Sequence, residues 1–575
     1  LSRIAARETI DILRESVLYD LLRQTADVHP DKLAVVCGAE CYDYSQFRDR
    51  VNRLANSLRS LGIRKNDRVA VLHKNCHRFL ETYFAAAGIG AILVPMNYRL
   101  SAREFIEILD NSQAKLLITQ PDLVPPLLEN RDVIPSLERI IFTRSDDHPI
   151  PEKSVDSYPR PKSDESNLDY ESLLEGASRE DPELGLRDAD DKDVVRDSDV
   201  AQIYYTSGTT GRPKGVILTH KNNRTHAESA ENELELNSED RWLHVSPMFH
   251  LADAWAVWAI TRAGATHVIV PGFEPNLVLG AIERHRVTLS NFIPTMLNIL
   301  VNYPGVPNYD YSSLRLILSG GAPIAKEVVR KVIDVFGCRY VQTYGLTETS
   351  PFLTMSILKE NMKSLPFEER LRYMVTTGRP FHGVKLKVVR EDGIEVAPDE
   401  HQVGEILAKG DTVTPGYWRM PDETSERIVD GWLHTKDLAV INPEGYLTIV
   451  DRKDDVIISG GENIYSVEVD DVLYAHPNIL EAAVFGLPDP VWGERVTAAV
   501  VLKEGEDVRE EEIISFCKER MAPFKAPKTV IFTDCLPKTG SAKICKYKLR
   551  EKYKKEYDRW ERQKQAKKKE GESHG

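Results

Sequence analysis

From about residue 30 to 450, short apolar, often β-branched runs alternate with longer stretches whose apolar positions recur at helical spacing. The short runs are Val69 to Leu72, Ala91 to Pro95, Lys115 to Thr119, Arg139 to Phe142, Ala201 to Tyr205, Thr266 to Val270, Leu314 to Ser319 and Tyr340 to Thr343. Helical spacing covers Tyr44 to Leu61, Ala102 to Asn111, Leu277 to His285 and Lys326 to Phe336. Alternation of this kind predicts βαβ units and parallel sheet, an α/β architecture. Near Gly404 the pattern changes to strand-turn-strand, over Gly404 to Lys409 and Gly445 to Val450. A new α+β pattern begins around Asp455, with a helix at Ser466 to Ala475 and a strand at Glu481 to Gly486. The predicted division is a body over 1–450, a charged linker at 451–455, a small domain over 456–551 and a tail over 552–575.

Composition narrows the function. The 575 residues exceed a single core, and 42% hydrophobic with 29% charged residues is ordinary for a globular protein. The net charge of −14 disfavours nucleic acid or an anionic membrane surface as partner. Much of that charge is local: residues 145–199 hold 18 acidic and 7 basic residues, and 552–569 hold 9 basic and 3 acidic ones. The first segment is predicted to be a solvated acidic excursion with local disorder, the second a solvated basic tail. Met355 to Tyr373 is predicted to be a helical insertion. No apolar run reaches the ~20 residues of a spanning helix. Seven cysteines without a CxxC pair give neither a disulfide framework nor a zinc site, which suits the cytoplasm.

The strongest chemical signal is Thr206-Ser207-Gly208-Thr209-Thr210-Gly211-Arg212-Pro213-Lys214-Gly215, directly after the apolar run Ala201 to Tyr205. Glycines let backbone amides turn toward an anion, four hydroxyls add donors, and Lys214 adds a positive charge. That set suits a polyphosphate. It is not a Walker A loop, because glycine rather than serine or threonine follows the lysine.

This segment resembles the phosphate-loop signature of the adenylate-forming superfamily: acyl-CoA synthetases, peptide-synthetase adenylation domains and luciferases. Further signatures follow in order: Ser319-Gly320-Gly321-Ala322-Pro323, Tyr344-Gly345-Leu346-Thr347-Glu348, Gly416-Tyr417-Trp418, Thr435-Lys436-Asp437, Arg452 to Asp455 with Gly460-Gly461-Glu462-Asn463, and Pro537-Lys538-Thr539 to Lys543. The resemblance spans residues ~30 to ~550 and points to the AMP-forming acyl-CoA synthetase, or fatty-acid–CoA ligase, branch. It implies a large N-terminal ATP- and acyl-binding domain of parallel and mixed sheets with a β-rich subdomain, followed by a small mobile α+β lid.

By this resemblance, ATP and AMP would be met by Thr206 to Gly211, Lys214, Gly320, Gly321, Ala322, Gln342, Thr343, Tyr344, Gly345, Thr347, Asp437, Arg452 and Lys543. Tyr344 would stack on adenine, Asp437 and Arg452 would hold the ribose, and Thr347 would meet the α-phosphate. Glu348 would hold Mg²⁺, and Lys543 would bridge the carboxylate and the α-phosphate. Gly320, Gly345, His250, Trp255 and Phe292 would line the acyl pocket, with His250 at its mouth, although Trp255 and Trp258 at i, i+3 fit a core helix equally well. Asp454 would be the hinge, and Gly460, Gly461 and Glu462 would pass the pantetheine arm of CoA. The implied reaction joins a small to medium carboxylic acid to CoA through an acyl-adenylate; a homodimer is compatible with it. The rival is an adenylation enzyme that loads a carrier protein. The chain departs from the family pattern at three places: Lys436 and Ala542 stand where glycine is usual, and Ser466 where proline is common.

Overall fold

The computed structural model describes residues 17–123, 134–143, 167–182, 194–207, 213–538 and 544–555. The chain divides into two compact units, Leu1–Leu386 with Ala408–Leu433, and Lys387–Leu407 with His434–Gly575.

The first unit is built on two large sheets. In the nine-stranded one, Arg339–Gly345, Leu316–Gly320, Leu289–Phe292, Arg241–His244, Thr266–Ile269 and Leu33–Cys37 lie side by side and parallel, with antiparallel strands at both edges. In the seven-stranded one, Asn167–Asp169, Arg139–Phe142, Ala114–Thr119, Arg68–Leu72, Ile92–Pro95 and Val200–Ser207 are parallel, and Pro213–Thr219 closes it as an antiparallel hairpin. Strands covered on both faces need no polar alternation, which is why they are near-continuous apolar runs in the sequence.

Helix starts follow local chemistry. Ser101 accepts the Glu104 N–H while Glu104 reaches back to the Ser101 N–H, and Asp43 and Gln46 do the same for Tyr44–Ser60. His77–Gly88 and Leu251–Arg262 belong to the apolar core that joins the two sheets. Nearly every residue of these two helices is buried. An all-round buried helix has no apolar stripe to detect.

The acidic excursion is corrected in part. Within it, Asn167–Asp169 pairs in parallel with Arg139–Phe142, and Tyr170–Glu175 forms a helix. Fully buried Glu81 draws this piece in, accepting from Tyr170 Oη at 2.7 Å and from Arg50 Nε at 2.6 Å. Arg50 and Arg78 also grip Glu171, so this acidic residue of the stretch neutralises cations in the body rather than facing water. Of 145–199, residues 145–166 and 183–193 lie outside the described residues, as does the tail beyond 555. The insertion after Met355 contains a 3₁₀ turn at Glu360–Met362 and a helix at Phe367–Met374.

The second unit is α+β. Ile479–Asp489 and Gly493–Leu502 form a long antiparallel hairpin, joined by Ile457–Ser459, Glu462–Ile464 and, in parallel, Thr529–Phe532. Ser466–Tyr474 and Glu510–Lys518 supply helices to its core. Preceding these, Asp437 and Arg452 face each other across the antiparallel pair Trp432–Ile441 and Leu447–Arg452.

Candidate functional site

In the first unit the chemistry-bearing segments lie at strand ends, where loops leave a rigid scaffold. The phosphate-loop signature joins Val200–Ser207 to Pro213–Thr219, and their register pairs Thr206 with Lys214 and Ser207 with Pro213. The feet of the loop are thus fixed. Gly208, Thr209, Thr210, Gly211 and the Ser207 side chain lie outside the described residues, as does Lys543.

Gly320 and Gln342 to Gly345 lie at the C-terminal ends of adjacent parallel strands, with Gly320 paired to Thr343. A Cβ on Gly320 would sit 2.4 Å from Thr343 Oγ1, so these strands can pair this closely only with glycine there. Gly321 takes φ +86°, which turns the chain sharply out of the sheet toward Ala322. Gln342 donates to the Ala322 carbonyl at 3.0 Å, pinning that turn. Tyr344 is half-buried, and a Cβ on Gly345 would lie 1.7 Å from the Pro351 carbonyl oxygen. The 3₁₀ turn Thr347–Thr349 follows at once and carries Glu348.

Glu348 and Lys214 both have partners on one further segment. Tyr417 Oη donates to Glu348 Oε1 at 2.8 Å, and Lys214 Nζ donates to Glu423 Oε1 at 2.6 Å. Burial pushes the Tyr417 phenol above its ordinary range, so it remains a donor. The Thr414 N–H reaches the Glu348 carbonyl at 2.8 Å. Sequence reasoning missed Tyr417 as a partner and Glu423 altogether; only the resemblance flagged Gly416-Tyr417-Trp418, without a role.

His250 caps Leu251–Arg262, its Nδ1 accepting the Ala252 N–H at 3.0 Å. Asn75 fixes the approach, donating to the Ser246 carbonyl and accepting the Met248 N–H, both at 2.8 Å. Trp255 and Phe292 are fully buried. Trp255 packs on Trp242, Phe352 and His226, while Phe292 belongs to the separate core around Leu243 and Leu297. Neither ring presents water-accessible surface. Trp255 and Trp258 both belong to the apolar core that joins the two sheets.

In the second unit, Arg452 Nε lies 3.1 Å from Asp437 Oδ1. Asp437 is nearly buried and its backbone N–H donates to Thr435 Oγ1, whereas half of the Arg452 side chain meets solvent. Lys436, between Thr435 and Asp437, takes φ +63°. Its N–H is held by Glu405 at 3.1 Å, and Glu405 is also approached by His434 and Lys453. A left-handed lysine is strained by roughly 1–2 kcal/mol, so the glycine usual in the family has a physical reason. Lys436→Gly is expected to stabilise the protein by about 0.5–1 kcal/mol after the added freedom of the unfolded chain. Urea midpoints of the two proteins check this.

Asp454 is exposed within the turn Lys453–Asp455, and Asp455 is bonded by Arg550 at 2.7 Å. Gly460 and Gly461 take φ +64° and +86°, and Glu462 opens the strand that follows. Gly460 donates to the Trp492 carbonyl at 2.7 Å, and a Cβ there would press on the Trp492 ring at 2.9 Å. Ser466 gives its N–H and its hydroxyl to buried Asp451, which also accepts the Arg452 N–H at 2.8 Å. Burial raises the Asp451 carboxyl, opposed by Lys546. Lys546 Nζ bonds both Ser466 Oγ and Asp470 Oδ2 at 2.6 Å, and burial holds Asp470 up at about 6. Among the described residues no cluster of histidine, cysteine and carboxylate groups forms a self-contained metal site.

The sequence matches the AMP-binding enzyme family over residues 22–418 and the AMP-binding enzyme C-terminal domain over 468–543. It is 36% identical over 532 residues to a feruloyl-CoA synthase from an Amycolatopsis species, covering 92% of this chain and 97% of that protein. It is 34% identical over 540 residues to 4-hydroxybutyrate–CoA ligase 2 of Metallosphaera sedula, covering 93% and 94%. Among solved structures it resembles the o-succinylbenzoate CoA synthetase of Bacillus subtilis in complex with the acyl-adenylate intermediate OSB-AMP. There the TM-score is 0.77 and the identity 29%, covering 92% of this chain and 97% of that one.

Proposed function

Because the chain belongs to the AMP-binding enzyme family and is an AMP-forming acid–thiol ligase, making acyl-CoA, AMP and pyrophosphate from ATP, a carboxylic acid and CoA, we propose how its residues divide that work. Lys214 and the loop amides before it take the β- and γ-phosphates. Thr347 takes the α-phosphate, Tyr344 the adenine, and Asp437 with Arg452 the ribose. A carboxylate together with phosphate oxygens suits a hard divalent cation, so Glu348 fits Mg²⁺. Bound there, Mg²⁺ supplies the charge neutralisation that lets pyrophosphate depart. Lys543 holds the acid against the α-phosphorus, where two anions would otherwise repel. In the second half-reaction Asp454 is the hinge of a rotation that withdraws Lys543 and brings in Gly460, Gly461 and Glu462, while His250 stands at the acyl mouth.

The observation that supports this assignment best is that the Lys214 ammonium and the Glu348 carboxylate are both fastened to one segment, Tyr417 to Glu423. The acid is of small to medium size, in keeping with relatives named for feruloyl, 4-hydroxybutyrate and o-succinylbenzoate. We place the protein in the cytoplasm: its seven cysteines are free, and among the described residues no helix is long and apolar enough to cross a membrane. A homodimer is the oligomeric reading that sedimentation tests.

The deciding experiment is pyrophosphate release across acids graded in length and ring size, with and without CoA. The ligase reading expects release with at least one acid and stoichiometric thioester when CoA is present. Adenylate that accumulates and is not consumed by CoA would establish the carrier-loading enzyme instead.

A further inference from the structure

The segment that carries Tyr417 and Glu423 is clamped to the strand it serves. Trp418 donates its N–H to the Gly215 carbonyl at 2.7 Å, and Ile217 donates to the Gly416 carbonyl at 3.1 Å. Thr414 Oγ1 adds a bond to the Ile217 carbonyl at 2.6 Å. The segment is also braced internally. Tyr417 donates its N–H to Thr424 Oγ1 at 3.0 Å, and a Cβ on Gly416 would strike Thr424 Cγ2 at 2.5 Å. Glu423 itself lies in the first turn of the helix Pro421–Arg427.

Two arms leave this frame. One ends on Glu348 through the buried Tyr417 hydroxyl and engages one of the two carboxylate oxygens. The other ends on Lys214, whose side chain and that of Glu423 are only 12% and 18% exposed. An ammonium has three donors, so a bond to Glu423 fixes its direction and leaves two for other acceptors. An exposed ion pair at this spacing would do little. A largely enclosed one sets where the charge stands.

We propose that Tyr417 and Glu423 are positioning residues for the nucleotide: the Gly416–Glu423 segment sets the Glu348 carboxylate and the Lys214 ammonium on one frame before the triphosphate and its divalent cation arrive. The proposal rests on the ATP roles given above to Lys214 and Glu348. It confines the influence of the segment to the half-reaction that uses the β- and γ-phosphates and the cation. Attack of CoA on a finished acyl-adenylate needs neither group.

The test measures both halves separately in the full chain, for wild type, Tyr417→Phe and Glu423→Gln. ATP–pyrophosphate exchange is followed against ATP, Mg²⁺ and acid, and thioester formation is followed from supplied acyl-adenylate and CoA. Losing a hydrogen bond to a charged group, Tyr417→Phe is expected to raise the Mg²⁺ needed for half-maximal exchange about tenfold, and Glu423→Gln to raise KM for ATP about tenfold. The KM for the acid and the rate of thioester formation from acyl-adenylate stay at wild-type values in both. Equal loss in the two half-reactions would show a merely structural segment and overturn the proposal, as would unchanged Mg²⁺ and ATP dependence. Either outcome in an active wild type counts against this inference alone. A wild type that exchanges no pyrophosphate with any acid refutes the ligase reading and the inference with it.

Discussion

Gly345→Ala is expected to abolish ATP–pyrophosphate exchange and to cost at least about 3 kcal/mol of stability, an overpacking and displacement effect at the severe end of single substitutions. The added methyl would stand 1.7 Å from the Pro351 carbonyl oxygen, 2.7 Å from its carbon and 3.0 Å from the Leu353 nitrogen. All three are backbone atoms, so no rotamer change makes room. What must move is the loop that carries Thr347 and Glu348, because Leu346 donates its N–H to that same Pro351 carbonyl. The damage therefore falls on the proposed phosphate and cation contacts first. Gly176→Ala is the control: its Cβ would meet nothing within 4 Å and its φ is −85°, so a change within about 0.5 kcal/mol is expected. Denaturant unfolding of both variants, beside exchange assays, checks the pair.

Lys543→Ala is expected to slow acyl-adenylate formation by about 10²–10³-fold, the usual consequence of deleting one donor aimed at developing charge. Thioester formation from supplied acyl-adenylate should remain within a few-fold of wild type. A lysine that only stabilised the fold would depress both half-reactions together. A cation that brings acid and α-phosphate together is needed only until the adenylate exists. Single-turnover measurement of each half, with purified acyl-adenylate for the second, separates these outcomes. Equal losses would remove Lys543 from the chemistry.

Much of the scaffold was legible because its physics is local. Arg139–Phe142, Gly404–Lys409 and Lys326–Phe336 fall on the predicted boundaries, and most other elements differ by a residue or two at their ends. The strand predicted at Glu481 to Gly486 runs on to Asp489, and the insertion predicted as helical from Met355 to Tyr373 is helical only over Phe367–Met374 apart from one 3₁₀ turn. Apolar runs mark buried parallel strands, and apolar positions at helical spacing mark helices such as Tyr44–Ser60 and Ala102–Ser112. The glycine-rich signatures were legible because backbone conformation or close approach demands glycine there, as at Gly320 and Gly321.

What stayed hidden depends on partners far apart in the chain. Nothing near Lys214 announces Glu423, 209 residues on, and nothing near Glu348 announces Tyr417, 69 residues on. The order within 167–175 is not legible from its acidic composition because Glu171 is paired by Arg50 and Arg78, two cations far upstream. Trp255 was ambiguous because spacing along a helix cannot tell a pocket from a core when every face of that helix is covered.

The contact between Ser466 and Asp451 ties two positions into one unit of change. Proline, common in the family at 466, has neither an N–H nor a hydroxyl, so introducing it alone would leave a buried carboxylate short of two of its donors. That loss is worth about 1–3 kcal/mol. Lys546 would lose its bond to the same serine. The effect of residue 466 is thus conditional on residue 451, and a double-mutant cycle across the two should show strong non-additivity. The serine at 466 is therefore not a neutral deviation: in this chain its backbone and hydroxyl are spoken for by Asp451 and Lys546, and a return to proline would have to be met by a change in those partners.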